Sequence, residues 1–297
     1  RSPSLVFVAL INIGSVVNTI KKVSGIIKEK TKIDRDIEIG KELQSGILPQ
    51  KKFRHQHFSW HAFYYPASHL AGDWFDLQEV TSKDKRHVLL ACIVDVTGHG
   101  ISSAMMTSNI ASHWGLWSES LQDIEFGQDH ETRNDILRVA PHQIHRGLVG
   151  LRYNLGCSMA VIMYEPATAL LTYLTAGHPG IMLSSGSGDS TRFQYLTSVG
   201  TRPGITNGVY SWQAKTIELD NTPKTIALFT DGIVEEKLTV PTWLKHVKRK
   251  AKKGQKTPTY FMLSQLRKNR KLFLAHPDKE DDLTLLVINL SKPESAS

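Results

Sequence analysis

Four aspartates in this sequence stand at the ends of apolar, strand-like runs, and that placement constrains the fold more than any other feature. Asp95 ends ACIVD and enters the turn VTGHG, Asp231 follows TIALFT, and Asp281 with Asp282 directly precedes LTLLVINL. A carboxylate at a buried strand end is unfavourable unless a cation neutralises it. The apolar runs contain no matching set of arginines that could neutralise the carboxylates. These carboxylates from distant parts of the chain therefore predict a shared metal site.

A further pair of carboxylates, Asp73 and Asp76, lies in AGDWFD. Oxygen ligands are typical of sites for hard cations, which here means Mg²⁺ or Mn²⁺. Gly98 and Gly100 allow a tight turn after Asp95, in which a main-chain carbonyl can also face the metal. Each motif alone is weak, because an Asp-Gly after a strand is more often a hydrogen-bonded turn. Their conjunction favours the metal site.

The apolar runs predict an α+β fold. VLLACIV (88–94) is apolar on both faces, which is typical of a fully buried strand. The other predicted strands are 58–65, 157–164, 169–175, 209–219, 225–230 and 283–290, and the predicted internal helices are 101–117 and 135–149. Strands and helices do not alternate strictly, so we expect α+β layers and not a doubly wound parallel sheet.

Residues 16–47 carry apolar side chains at a 4-3 spacing that is typical of a coiled coil. Four positions of the seam are polar or small and weaken it: Thr19, Lys30, Gly40 and Gln44. The alternative is a single amphipathic helix lying on the domain. Pro49 ends the helix. We therefore predict an N-terminal helical segment over 1–48, which forms a homodimer, and a catalytic domain over 49–297.

The chain has 297 residues, a net charge of +8 and a pI near 9.3, which favours an acidic partner: a phosphoprotein, a nucleic acid or an anionic membrane surface. Cys92 and Cys157 both lie in apolar runs, so they predict buried thiols in a reducing, cytoplasmic setting and no disulfide.

The apolar run from Leu5 to Val17 falls short of the roughly 20 residues that cross a bilayer. It predicts a buried or oligomerising helix. The alternative is the cytoplasmic end of a transmembrane helix that begins upstream, which would anchor the chain at the cytoplasmic face of the inner membrane.

Five spaced motifs resemble, in order, the signatures of the SpoIIE/RsbU branch of the PPM phosphatases. They are PASHLAGDWFD (66–76), VDVTGHGISSAMM (94–106), TAGHPG (175–180), FTDGIVEEK (229–237) and DDLTLLVI (281–288), and KELQSGILP (41–49) resembles the helix that leads into that domain. The resemblance covers residue 41 to the C-terminus. It implies a four-layer αββα sandwich with two central antiparallel sheets and a site for two Mn²⁺ or Mg²⁺ ions between them.

Carried over to this chain, the resemblance implies that Asp95 bridges both metals and that Asp231 and Asp281 hold one of them. Asp73, with the carbonyl of Val96, would serve the other metal directly or through water. Asp95 and Asp73 would then be the catalytic aspartates.

Other positions within the motifs leave alternatives. Asp282 is the alternative to Asp281. Asp76 and Glu235 occupy positions typical of the family, but no metal contact is assigned to them. We interpret His99 as structural, and His178 as a turn residue that packs and hydrogen-bonds. A serine, Ser158, stands near the place where the family commonly has a threonine.

The resemblance implies a protein-serine/threonine phosphatase that uses a metal-activated water without a covalent intermediate. The implied substrate is a phosphorylated anti-sigma-factor antagonist of the STAS type, in bacterial sigma-factor signalling. One alternative is an inactive PPM-fold binding module. A nucleic-acid enzyme is a weaker one, because the basic run KHVKRKAKKGQK (245–256) lacks interleaved aromatic residues, so no nucleic-acid partner is expected.

Overall fold

A computed structural model of the chain describes residues 3–98, 100–127, 129–151, 155–186, 192–205, 210–220, 222, 224–234, 242–243, 245–247, 249–250, 258–275 and 281–291. The chain divides into two compact units, Arg1–Ser45 and Gly46–Ser297.

The first unit is formed by one long helix, α1 (Pro3–Gly46). The predicted N-terminal helix is confirmed, and it begins earlier than the heptad pattern indicates. Several apolar side chains at the 4-3 positions are exposed, with Val16 at 56%, Ile26 at 57% and Ile33 at 51% of their full accessibility. Across the part of the chain that the structure describes, no helix combines the length and the apolar character that crossing a membrane requires.

Among the described residues, the second unit contains eleven strands and three helices of more than three residues with defined bounds, and residues 242–243, 245–247 and 249–250 are also helical. The strands are β1 (Lys52–Arg54), β2 (Phe58–Tyr65), β3 (Asp73–Thr81), β4 (His87–Val96), β5 (Cys157–Glu165), β6 (Leu170–Ala176), β7 (Ile181–Ser185), β8 (Arg192–Leu196), β9 (Ala214–Glu218), β10 (Lys224–Phe229) and β11 (Leu283–Leu290). The helices are α2 (Ile101–Ser120), α3 (His130–Gly150) and α4 (Pro258–Ala275).

The strands form two antiparallel sheets. One has the order β1-β2-β11-β10-β7-β8, and the other has the order β3-β4-β5-β6-β9. Helices α2 and α3 pack on the outer face of the second sheet, and α4 packs on the outer face of the first. The predicted αββα sandwich is confirmed.

Side-chain alternation explains why the central strands are apolar throughout. Along β4, Leu90 and Cys92 pack towards α2 and α3, whereas Leu89 and Ala91 pack towards the other sheet. Each central strand is thus covered on both faces, so a charged residue is most easily accommodated where the strand ends. The strand ends are where the aspartates stand.

Some elements were not predicted from the sequence. These are β1, β3, β7, β8 and α4. The strand predicted over 209–219 is confined to Ala214–Glu218, because residues 210–213 form no continuous strand. Strand β3 carries Asp73, Asp76 and Glu79, and these charged residues made its sequence resemble a turn. Helix α3 begins at His130, five residues before the predicted start, because the Asp129 side chain accepts a hydrogen bond from the Thr132 backbone N–H and caps the helix.

Candidate metal centre

Strand pairing places Asp73 and Asp95 opposite each other, at the end of β3 and near the end of β4. The chain approaches itself closely here: the Val96 N–H donates to the Gly72 carbonyl at 3.2 Å. A Cβ on Gly72 would lie 2.9 Å from the Gly98 oxygen and 3.0 Å from the Val96 oxygen, so only glycine fits. Gly98 and Gly100 have φ of 94° and 82°, which is the conformation expected of the turn after Asp95.

The carboxylate of Asp73 is held by the opposite sheet. Its Oδ2 accepts hydrogen bonds from the Thr230 hydroxyl at 2.8 Å and from the Thr284 hydroxyl at 2.6 Å. Thr230 follows β10 and Thr284 lies in β11, so Asp73 connects the two sheets at this edge. The second oxygen, Oδ1, has no hydrogen-bond donor within the described residues, so it remains available to a cation or to water.

The exposed Asp281 is followed by Asp282, which accepts hydrogen bonds from the backbone of another segment. Its carboxylate is buried and accepts backbone N–H groups from Ala67 at 2.6 Å, Gly72 at 2.5 Å and Asp73 at 3.2 Å. These three bonds order the segment that leads into β3. Asp281 is exposed, and its carboxylate accepts from the Asp282 N–H at 2.9 Å. The geometry therefore favours Asp281 over Asp282 as a candidate metal ligand.

The turn after β10 brings Asp231 to the same edge. Asp231 begins a short 3-10 helix over Asp231–Ile233, and a Cβ on Gly232 would overlap the backbone oxygen of Asp282. This close approach requires glycine and places the Asp231 segment directly beside the Asp281–Asp282 segment.

Crowding of the carboxylates changes their protonation. Burial, followed by repulsion from Asp282 and Asp95, raises the pKa of Asp73 well above its usual value, although the two threonine hydroxyls oppose this. Burial, followed by repulsion from Asp231 and Asp281, raises the pKa of Asp95 to about 7. The cluster accumulates negative charge that the surrounding protein offsets incompletely.

These residues fit a divalent cation by the chemistry of their donors. The cluster offers carboxylate oxygens and the main-chain carbonyls beside Gly72, which is the ligand set of Mg²⁺ and Mn²⁺. As the side chains stand, no three histidine, cysteine or acidic groups among the described residues are close enough to share one ion. Mutual repulsion of the carboxylates explains why they stand apart, and a bound cation would offset that repulsion.

A buried Ser–His pair lies beside Asp95. Ser158 pairs with Asp95 across β4 and β5, and its hydroxyl is 2.8 Å from His178 Nδ1. Burial lowers the pKa of His178 to about 3, so the imidazole is neutral and acts as a packing and hydrogen-bonding residue, as the sequence predicted. The neighbouring Cys157 is buried, and burial raises its thiol pKa far above the usual value.

Other predicted residues lie elsewhere. Asp76 accepts hydrogen bonds from Trp114 Nε1 at 2.6 Å and Gln78 Nε2 at 2.9 Å, in the layer between β3 and α2. His99 and Glu235 lie outside the described residues, as do Lys248 and residues 251–256 of the basic run.

Sequence reasoning missed three residues of this region: Thr230, Thr284 and Arg202. Both threonines stand inside quoted motifs, FTDG and DDLT, so their position beside an aspartate was an available signal. Arg202 lies in the loop GTRPG, and its charge acts on Asp95. No spacing rule connects that loop to the aspartates, so only the fold reveals it.

Comparison with known proteins identifies the family. Residues 85–291 match the model of the family described as Stage II sporulation protein E (SpoIIE). This chain belongs to the SpoIIE family, to which its five motifs showed a resemblance. A search of curated protein sequences finds no match to it.

Solved structures of similar fold include PP2C domains. The PP2C domain of SiaA from Pseudomonas aeruginosa is 16% identical, with 88% of this chain and 98% of that chain covered and a TM-score of 0.62. A structure of the RsbU and RsbW domains of a Mycobacterium tuberculosis protein is 21% identical, with 80% of this chain covered and a TM-score of 0.56. This chain spans only 61% of the length of that structure.

A third similar structure contains the PP2C phosphatase domain and a regulatory fragment of SpoIIE from Bacillus subtilis. It is 18% identical, with 82% of this chain and 65% of that chain covered and a TM-score of 0.54. The predictions of family and fold are confirmed.

The metal-free protein should become more stable as the pH falls from about 8 to about 5. The pKa of Asp95 is about 7 in the folded state and 3.8 without perturbation, so over this range the folded chain binds a proton that the unfolded chain has released. Stability therefore decreases as pH rises. Urea-unfolding midpoints in EDTA measure this, and Asp95→Asn should flatten the dependence.

The exposed Asp123 provides the control, since Asp123→Asn should keep the wild-type pH dependence. Excess Mg²⁺ should reverse the slope, because binding requires ionised carboxylates. A midpoint that rises with pH in EDTA would contradict the crowding of these carboxylates.

Proposed function

We propose that this chain hydrolyses phosphoserine and phosphothreonine in proteins, with two divalent cations held at the aspartate cluster. The observation that carries the proposal is the meeting of Asp73, Asp95, Asp231 and Asp281 at one edge of the two sheets in a chain of the SpoIIE family. Asp95 would bridge the two ions, Asp231 and Asp281 would hold one, and Asp73 with the Val96 carbonyl would serve the other.

When bound, the cations supply Lewis-acid activation of the attacking water and offset charge on the phosphoryl oxygens. The protein side chains hold the proposed metal ligands in position. Thr230 and Thr284 fix one oxygen of Asp73, and Asp282 fixes the backbone of the segment before it. The water releases a proton to solvent and its oxygen forms a bond to phosphorus as the bond to the serine or threonine oxygen breaks, and the leaving oxygen takes a proton from solvent.

The surroundings of the cluster support a route without a covalent intermediate. Ser158 is buried with its hydroxyl engaged by His178. Cys157 is buried, and its raised pKa keeps the sulfur protonated at neutral pH. Neither side chain is a suitable nucleophile for a phosphate group that arrives from solvent, which favours direct attack by water.

The substrate we propose is a phosphorylated STAS-type anti-sigma-factor antagonist. One neighbouring structure contains RsbU and RsbW domains, which belong to regulatory protein systems of that kind. The net charge of +8 suits an acidic protein partner. The same proposal includes a cytoplasmic setting, in which the two buried free thiols stay reduced.

Activity should require added Mn²⁺ or Mg²⁺ and disappear in excess EDTA. The assay uses a phosphoserine-bearing STAS domain beside a peptide with the same phosphosite, and we expect faster turnover of the folded domain. Asp95→Asn should lower kcat/KM by on the order of 100-fold or more, since even residues one step removed from a metal typically change function by 10–100-fold. Asp76→Asn is the matched control and should be milder, because Asp76 bonds Trp114 and not the cluster.

Three outcomes would count against the proposal. Full turnover in EDTA would exclude metal-dependent hydrolysis. Equal losses in folded Asp95→Asn and Asp76→Asn would overturn the ligand assignment. Equal turnover of the domain and the peptide would leave the STAS fold without a role in recognition.

We also propose that the segment 1–48 forms a homodimer through α1. The exposed apolar side chains at the 4-3 positions support this, since exposed Val16, Val23, Ile26 and Ile33 are the residues a coiled-coil partner would cover. Replacing Lys30 and Gln44 by leucine should strengthen association in sedimentation experiments. A wild-type chain that stays monomeric at high concentration would contradict the dimer.

A further inference from the structure

The loop Gly200–Gly204 is fixed at both ends beside the aspartate cluster. The Gly177 N–H donates to the Gly200 carbonyl at 2.9 Å, and the Cys157 N–H donates to the Pro203 carbonyl at 3.0 Å. In between, Trp212 Nε1 donates to the Thr201 carbonyl at 2.7 Å. These bonds tie the loop to the edge from which Asp95 projects, so a side chain on the loop has a defined position relative to the cluster.

Arg202 is the residue that this loop presents. Its aliphatic stem lies across Gly177, where a Cβ would overlap Arg202 Cγ and would lie 3.3 Å from Nε. Glycine at 177 therefore makes room for the arginine. The side chain is exposed, and within the described residues its guanidinium donates no hydrogen bond and forms no ion pair.

The strand pairing places the Arg202 loop next to Asp95. Gly177, which the arginine stem covers, bridges to Met159, and the neighbouring Ser158 lies opposite Asp95 in the pairing of β4 with β5. Cys157, which bonds the loop at Pro203, lies opposite Val96 in the same pairing. The exposed guanidinium is therefore close to the strand ends that carry the predicted metal ligands.

A phosphate monoester approaching this cluster meets strong repulsion, because both carry negative charge. A protein cation at the solvent side lowers that repulsion and orients the ester. Arginine suits the task, because its planar guanidinium donates two parallel hydrogen bonds to a phosphate group. The anchored loop and the stem packed on Gly177 reduce the conformational freedom that such binding would otherwise remove.

We propose that Arg202 binds the phosphoryl oxygens of the substrate and orients them at the aspartate cluster. This inference rests on the proposed phosphatase function and adds to it a phosphate-recognition residue outside the predicted metal ligands. The competing explanation is that Arg202 is only a counter-ion for the aspartates, with no contact to substrate.

The two explanations differ in what removal of the guanidinium changes. If Arg202 binds phosphate, Arg202→Met should weaken the binding of inorganic phosphate to the Mn²⁺-loaded protein by about 10-fold to 100-fold, the range for a lost charged hydrogen bond. Arg202→Lys should fall between wild type and Arg202→Met, since it keeps the charge without the planar pair of donors. If Arg202 is only a counter-ion, Mn²⁺ should bind more tightly in Arg202→Met while phosphate binding stays the same.

The experiment is calorimetric titration of inorganic phosphate and, separately, of Mn²⁺ into wild type, Arg202→Met, Arg202→Lys and Arg192→Met. Arg192 is an exposed arginine on β8 and is the matched control, so Arg192→Met should bind phosphate as wild type does. Circular dichroism checks that each variant is folded. Phosphate affinity within twofold of wild type in folded Arg202→Met overturns the inference, and so does a wild type that binds no phosphate.

Hydrolysis of p-nitrophenyl phosphate by the same proteins separates this inference from the proposed function. The expected result is a raised KM in Arg202→Met with a smaller change in kcat. A wild type that binds phosphate through Arg202 but hydrolyses no phosphoester contradicts the phosphatase proposal and supports the binding role. A wild type that hydrolyses the ester with a KM unaffected by Arg202→Met supports the phosphatase and overturns the inference.

Discussion

Repulsion among crowded carboxylates is the constraint on which the architecture of this chain depends. Two sheets place their aspartates at one edge, where the burial of Asp73 and Asp282 strengthens the repulsion that water would otherwise screen. The protein offsets part of it with hydrogen bonds: two threonine hydroxyls on Asp73 and three backbone N–H groups on Asp282. Asp95 receives no such bond from the described residues, and burial, followed by repulsion from Asp231 and Asp281, raises its pKa to about 7. A divalent cation is the natural means of offsetting the rest.

At the same edge, two neighbouring acidic residues have different structural roles. Asp281 and Asp282 are adjacent in sequence, yet Asp282 is buried as an acceptor for the segment before β3 while Asp281 faces outward. Gly72 and Gly232 make this possible, because each stands where another backbone leaves no room for a Cβ. Precise placement of the aspartates therefore depends on glycine and threonine as much as on the carboxylates themselves.

Much of this could be predicted from the sequence, for a physical reason. Strands buried on both faces are apolar throughout, so a carboxylate at their end is conspicuous, and the motifs around Asp95, Asp231 and Asp281 were visible. Strand β3 was missed because its charged residues hid its buried Trp74, Phe75 and Leu77. The choice between Asp281 and Asp282 depends on which carboxylate turns inward, and the position of Arg202 depends on pairing between segments distant in sequence. Neither leaves a local pattern.

The central claim is that the aspartate cluster is a binding site for divalent cations. Anomalous X-ray diffraction from crystals soaked in Mn²⁺ tests it most directly. The account predicts two anomalous peaks about 4 Å apart, with Asp95 between them, Asp231 and Asp281 beside one, and Asp73 with the Val96 carbonyl beside the other. Crystals that diffract well at saturating Mn²⁺ and show no peak at this edge, or peaks that involve none of these aspartates, would contradict it.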